Sequence, residues 1–235
     1  MKIGIIGAGA MGCLYACMLC EKNDVVLLDI DSATVDTVNK DGVLMREANS
    51  EKEYIFKPKA ALSGKFNGEF DLIIVFVKDT ATAAALKSNR TLIGKQTVLL
   101  SLQNGLGNYE IMENFAESEQ ILLGTTKHNC VTLERGKIYH SGAGVTHIGS
   151  PSGNKTAVKK VCEVFAESRI DTEICEDVNR LLWEKLFINM TINSITALLD
   201  CHINVIADDK NASAVAHELI KEAVSVAKCD GEIFD

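Results

Sequence analysis

Hydrophobic positions along this chain follow two rhythms. Up to about residue 150, short continuous apolar runs alternate with stretches of helical period; beyond Ser150-Pro151-Ser152-Gly153-Asn154 helical spacing dominates. Lys2–Ile6 reads as a strand, then a loop Gly7-Ala8-Gly9-Ala10-Met11-Gly12, then a helix to about Glu21. Val25–Asp29 and Ser32–Lys40 repeat strand and helix. Asp71–Val77 and Thr97–Leu102 are strongly apolar, as strands covered on both faces of a parallel sheet are. An alanine-rich helix follows the first of them. Ile121–Thr125, Lys137–His140 and Thr146–Ile148 read as further strands, and Lys52–Lys57 as an irregular strand pairing with a neighbour. Strands alternating with helices predict a doubly wound α/β domain over residues 1–175, followed by an all-helical domain over 176–235.

The second domain opens on Leu181–Asp200, whose apolar residues go nearly all the way round a helix, so the helix is predicted to be buried. Lys185, Asn189, Asn193 and Thr196 nevertheless fall on one narrow stripe at offsets of four, four and three. Buried polar side chains need partners. The readings are a satisfied polar network or a solvated stripe at a domain edge on the one hand, and the wall of a substrate cleft on the other. In the cleft, the lysine donates a proton to a carbonyl under reduction and attracts a carboxylate, while the asparagines orient both.

Ile3–Cys20 carries no charge over 18 residues, the lower margin for a membrane span. Gly4, Gly7, Gly9 and Gly12 break it into strand, turn and helix, which argues against a span or a signal segment. The expectation is a soluble, cytoplasmic protein with no membrane contact. A net charge of −8 from 24 basic and 32 acidic residues argues against nucleic acid, which needs a basic surface. The eight cysteines do not form a disulfide scaffold, and apart from Cys13, Cys17 and Cys20, whose C-x3-C-x2-C spacing is also one used for an iron–sulfur cluster, they show no metal-ligand spacing; no metal is expected. Cys13, Cys17 and Cys20 share one helical face and are predicted to pack on the sheet as small hydrophobes.

The glycine loop is the most specific chemical signal. Its G-x-G-x-x-G follows a strand, opens a helix, and has Asp29 twenty residues after Gly9. Gly7 makes the turn, Gly9 lets a pyrophosphate approach the backbone, and Gly12 lets helix and strand pack closely. The helix N-terminus presents unpaired N–H groups to the phosphates. The first domain is therefore predicted to be Rossmann-type. A carboxylate at the end of the second strand accepts ribose hydroxyls and repels a 2′-phosphate, and no arginine lies in Asp24–Lys40 to receive one. Asp29 and Asp31 thus favour NADH, the alternative being that one of them caps the next helix. Lys78 and Asn104 each stand just past an apolar strand, where such domains place ligands.

These residues resemble the ketopantoate reductase (2-dehydropantoate 2-reductase) family. The resemblance covers Met1 to about Asp200 and rests on the glycine fingerprint, Val77-Lys78, Ser101-Leu102-Gln103-Asn104-Gly105-Leu106-Gly107-Asn108, Gly124-Thr125-Thr126 and Gly144-Val145-Thr146-His147-Ile148-Gly149. Its narrowest part is Leu182-Trp183-Glu184-Lys185-Leu186 with Asn189 and Asn193. The resemblance implies hydride transfer from NADPH to the ketone of 2-dehydropantoate, giving pantoate for pantothenate and coenzyme A synthesis. It implies Lys185 as proton donor, Asn189 and Asn193 as substrate ligands, Asn104 beside the nicotinamide and Lys78 lining the same site. Gly7, Gly9, Ala10, Met11 and Gly12 would form the pyrophosphate loop.

Three features depart from the family pattern. Asp29 and Asp31 stand where a basic residue is usual, Lys127-His128-Asn129 replaces a run of small residues, and the family's further substrate-contacting helices have no counterpart before Asp235. The helical domain is accordingly expected to be truncated. Cys201–Asp235 offers about one more sizeable helix, so covering the apolar faces falls to further chain or a partner subunit, a homodimer included. Two alternatives stay open: a reductase of another small 2-oxo acid, and a catalytically silent dinucleotide-binding module.

Overall fold

A computed structural model describes residues 1–48, 50 and 52–234. In chain order the elements are β1 (Lys2–Ile6), α1 (Ala10–Leu19), β2 (Asp24–Asp29), α2 (Ser32–Asp41), β3 (Val43–Glu47), β4 (Glu53–Phe56), β5 (Lys59–Leu62) and β6 (Leu72–Val75). They continue with α3 (Thr82–Ser88), β7 (Val98–Ser101), α4 (Asn108–Met112), β8 (Ile121–Thr126), β9 (Asn129–Glu134), β10 (Lys137–Gly142) and β11 (Thr146–Gly149). The last are α5 (Lys155–Glu167), β12 (Thr172–Ile174), α6 (Val178–Leu199), α7 (Asn204–Asp208) and α8 (Lys210–Cys229). The described residues form two compact units, Met1–Gln103 with Gly107–Val178, and Asn104–Leu106 with the chain from Asn179 onward.

The first unit is built on an eight-stranded sheet ordered β12-β11-β8-β7-β6-β1-β2-β5. The six strands from β8 to β5 run parallel, while β11 is antiparallel to β8. Chain order diverges at β1, with β2 and β5 on one side and β6, β7 and β8 on the other. That divergence opens a crevice at the carboxyl ends of β1 and β6, the switch point at which doubly wound sheets bind ligands. Ile3, Ile5, Leu27, Leu72, Ile74 and Leu100 are fully buried, as their unbroken apolar runs require. The uncharged stretch from Ile3 to Cys20 is indeed strand, turn and helix, with Cys13 and Cys17 in the core and Cys20 half-buried. No helix among the described residues is long and apolar enough to cross a membrane.

A second, four-stranded sheet, ordered β4-β3-β10-β9, was not anticipated. Its residues Val43, Met45 and Ile138 join the core beneath α1, together with the half-buried Cys130. The parallel pairing of β10 with β3 joins segments about ninety residues apart, Lys137 against Leu44, so no local turn announces it. β5, β9 and β12 were likewise missed, being short or mostly exposed.

In the second unit α6 is covered over part of its surface only, in keeping with the expectation that the rest falls to further chain or a partner subunit. α6 is continuous, but Ile188 is 58 % exposed and Leu198 85 %. Its apolar cover is thin: α8 buries only alanines, Ala212, Ala216, Ala223 and Ala227. Ile195 packs with Ala212 and Ala216, flanked by Val205, Ile206 and Leu219. A small aromatic cluster joins Trp183 to Phe187 and Phe187 to Phe234, with the Arg180 guanidinium 4.4 Å from the Phe234 ring centre.

Candidate active site

The glycine loop takes the shape its residues dictate. Gly7 has φ +104°, a region open to glycine, and its N–H donates to the Leu28 carbonyl at 2.8 Å, tying the loop to β2. A Cβ on Gly12 would collide with the Gly7 carbonyl oxygen, whereas one on Gly9 would meet nothing within 4 Å. The loop is thus closed behind and open in front. Gly9 is the N-cap of α1 without side-chain capping, and the first turn holds no acidic residue. Its N–H groups are the kind of donor set an anion takes up.

Asp29 at the end of β2 belongs to the same construction. Its Oδ2 accepts the Ala8 N–H at 2.6 Å and its Oδ1 accepts the Asp31 N–H at 2.9 Å. Each carboxylate oxygen keeps a lone pair for a further donor. Asp31 plays the other role weighed from the sequence, capping α2 by accepting from Ala33 N at 3.2 Å. Beside Asp29 lies an apolar cleft lined by Ile6, Leu28, Ile30, Val77, Ala81 and Ala85. Ile30 is 85 % exposed, a large apolar side chain left in solvent at the rim. Its position directly after Asp29 was a signal that the sequence reading passed over.

Lys78 and Asn104 are both exposed, Lys78 three residues past β6 and Asn104 three residues past β7. Residues 77–108 hold an unanticipated, largely buried network. Gln103 Nε2 donates to the Val77 carbonyl at 2.7 Å and to Thr82 Oγ1 at 2.9 Å, and its Oε1 accepts from Ser101 Oγ at 3.0 Å. Thr82 passes its own proton to Asn108 Oδ1, and Asn108 Nδ2 donates to Asp79 Oδ1, both at 3.2 Å. Lys78 is therefore clamped on both sides, at Val77 and at Asp79. In the sequence Gln103 stands only as part of a motif.

In the second unit the stripe on α6 is present and only partly buried. Lys185 and Asn189 are half-buried and Asn193 is exposed. Thr196 turns its hydroxyl back onto the Ile192 carbonyl at 2.8 Å and so leaves the stripe. The reason is the thin cover over α6. Burial still pushes the Lys185 ammonium below its ordinary value. Among the described residues no group of three His, Cys, Asp or Glu side chains is arranged to hold a metal ion.

Comparisons with known proteins bear on both units. Residues 3–153 match the family model "Ketopantoate reductase PanE/ApbA", and residues 177–235 its C-terminal counterpart. A 2-dehydropantoate 2-reductase of Pyrococcus horikoshii is 34% identical over 237 residues, covering 100% of this chain and 76% of the relative. Among solved structures, the ternary structure of D-mandelate dehydrogenase with NADH and anilino(oxo)acetate superposes with a TM-score of 0.93 at 27% identity, covering 100% of this chain and 76% of that one. The putative 2-dehydropantoate 2-reductase of Enterococcus faecalis gives 0.80 at 29%, with the same coverage.

Proposed function

This chain belongs to the ketopantoate reductase PanE/ApbA family, and from that premise we propose that it reduces 2-dehydropantoate to pantoate, serving pantothenate and coenzyme A synthesis. It is a 2-dehydropantoate 2-reductase-like oxidoreductase, acting on a small molecule with a nicotinamide dinucleotide. In this reading residues 1–175 bind the dinucleotide and 176–235 contribute the substrate side. Eight cysteines, none of them in a disulfide, suit a cytoplasmic setting.

The observation that carries the reading is the glycine loop fixed to Asp29 at the sheet's switch point, with Gly9 open in front. Those residues fit a dinucleotide: the loop N–H groups of Ala10, Met11 and Gly12 take the pyrophosphate, Asp29 the adenosine ribose, and the apolar cleft by Ile30 the adenine. The bound nicotinamide supplies the hydride. Lys185 delivers the proton to the ketone oxygen, a task eased by its lowered pKa. Asn189 and Asn193 orient the 2-oxo acid, and Lys78 and Asn104 line the reacting end.

A second reading keeps the fold and chemistry and changes the substrate to a 2-oxo acid with a bulkier substituent. It is favoured by the 0.93 superposition on a mandelate enzyme. The test is nucleotide-dependent reduction of 2-dehydropantoate beside benzoylformate and unbranched 2-oxo acids. A specificity constant highest for 2-dehydropantoate supports the first reading; one highest for benzoylformate replaces it with the second. Nucleotide binding without Lys185-dependent turnover of any of them would leave only a silent binding module.

A further inference from the structure

The long-range partner of Asp31 bears on which dinucleotide this site takes. From the tip between β9 and β10, Arg135 brings its Nε to 2.8 Å from Asp31 Oδ2, across 104 residues of sequence. Asp31 Oδ2 also accepts from Thr34 Oγ1 at 2.8 Å, while its Oδ1 caps α2. The guanidinium and the Thr34 hydroxyl hold the Asp31 carboxyl down to about 2, so it stays ionised at any working pH. A run of hydrogen bonds between 2.6 and 2.9 Å links the glycine loop to Asp29, Asp29 to Asp31, and Asp31 to Arg135.

We infer that the Asp31–Arg135 pair sets the dinucleotide preference, Asp31 neutralising a basic group delivered to the ribose end and so selecting NADH. This rests on the reading of the first unit as a nicotinamide dinucleotide site. Asp29, Asp31 and Arg135 together carry one net negative charge, which repels a doubly charged 2′-phosphate and tolerates a 2′-hydroxyl. Arg135 is the residue type that would grip such a phosphate bidentately, yet it is engaged by a carboxylate. Without the Asp31 charge, the same guanidinium becomes a phosphate receptor.

The experiment is direct titration of the whole chain with NADH and with NADPH, read as the ratio of their dissociation constants. Asp31→Asn keeps a side chain able to cap α2, and removes the charge. It is expected to shift the ratio toward NADPH by roughly three- to thirty-fold at low salt, shrinking as salt is added, as exposed charge pairs do. Arg135→Ala, which leaves the cap untouched, should move the ratio the other way. The double variant should lose the gain of Asp31→Asn. Lys137→Ala, which breaks the neighbouring Lys137–Glu134 pair on the same hairpin, should leave the ratio unchanged. An unchanged ratio in Asp31→Asn, or a gain that survives Arg135→Ala, overturns the inference while the dinucleotide site stands. Failure of the unsubstituted chain to bind either nucleotide removes the underlying reading and this inference with it.

Discussion

The two units solve the burial problem to different degrees. In the first, whole strands are sealed between helices and the loops after them are held by hydrogen bonds: Asp29 accepts two backbone N–H groups, and Gln103 engages three neighbours. In the second, the apolar surface of α6 exceeds what the alanine face of α8 covers, and Leu198, Leu199, Val215 and Val226 lie exposed. Packing density fixes geometry. The dinucleotide end is thus preorganised by contacts within its own unit, whereas the stripe carrying Lys185 sits on the element with least local support. Elements with few buried apolar contacts open at low free energy, so amides of α6 and α8 should exchange with solvent well before those of β1, β6 and β7.

The largest effect expected is chemical and confined to the second unit. Lys185→Ala should lower kcat by about a hundred- to ten-thousand-fold, the usual worth of a positioned general acid, while nucleotide affinity stays near its original value. Steady-state kinetics beside a binding titration separates the two. A fall in nucleotide affinity as large as the fall in kcat would erase the division of labour between the units.

The complementary change is Asp29→Ala. It takes away the charged acceptor proposed for the ribose and orphans the Ala8 and Asp31 N–H groups. Hydrogen bonds to charged groups contribute about 1.5–3 kcal/mol, so affinity for NADH should fall by roughly ten- to a hundred-fold. Titration reads it directly, and an undiminished affinity would move the ribose elsewhere.

These two residues mark how far the sequence could be read. Asp29 was legible because its signal is local: a strand, a glycine loop and a carboxylate at fixed spacing. Lys185, Asn189 and Asn193 were legible as a helical phase, which needs only the period of α6. How deeply they are buried was not legible, because burial depends on what neighbouring elements bring, and α8 brings alanines. Arg135 could not be foreseen at Asp31, since 104 residues and an unannounced sheet lie between them. Gln103 was visible as a letter in a motif, but its role depends on Val77 and Thr82, which only the fold supplies.

Gln103 gives the third prediction, a test of how much the first unit owes to these hydrogen bonds. Gln103→Leu keeps the volume, strands the Val77 carbonyl and removes one partner each from the Ser101 and Thr82 hydroxyls. Leaving a buried polar group unmet costs about 1–3 kcal/mol, and Tm should fall accordingly. Gln103→Glu keeps an acceptor for Ser101 but loses the donor to Val77, so it should recover only part of the loss. A Leu variant as stable as the parent would show that the clamp around Lys78 contributes nothing to stability.

The smallest effect lies behind α1, where the first unit carries a titratable pair. His128 Nδ1 and His140 Nε2 are 3.0 Å apart, and the Tyr15 ring meets His128 edge-on with centroids 6.0 Å apart. Burial, and then the neighbouring His140, push the His128 pKa from 6.5 down to about 4, against a smaller opposing pull from Asp171. The unfolded imidazole takes up its proton below about 6.5, while the folded one refuses it until about 4. The unfolded state therefore binds more protons in that window, and stability falls as the solution is acidified through it. His128→Gln keeps a polar contact to His140 without the titration. Its denaturation midpoint should decline less than that of the parent between pH 6.5 and 4, by an amount kept small because His128 is only half-buried. Parallel pH profiles would place the acid sensitivity of the first unit elsewhere than at this pair.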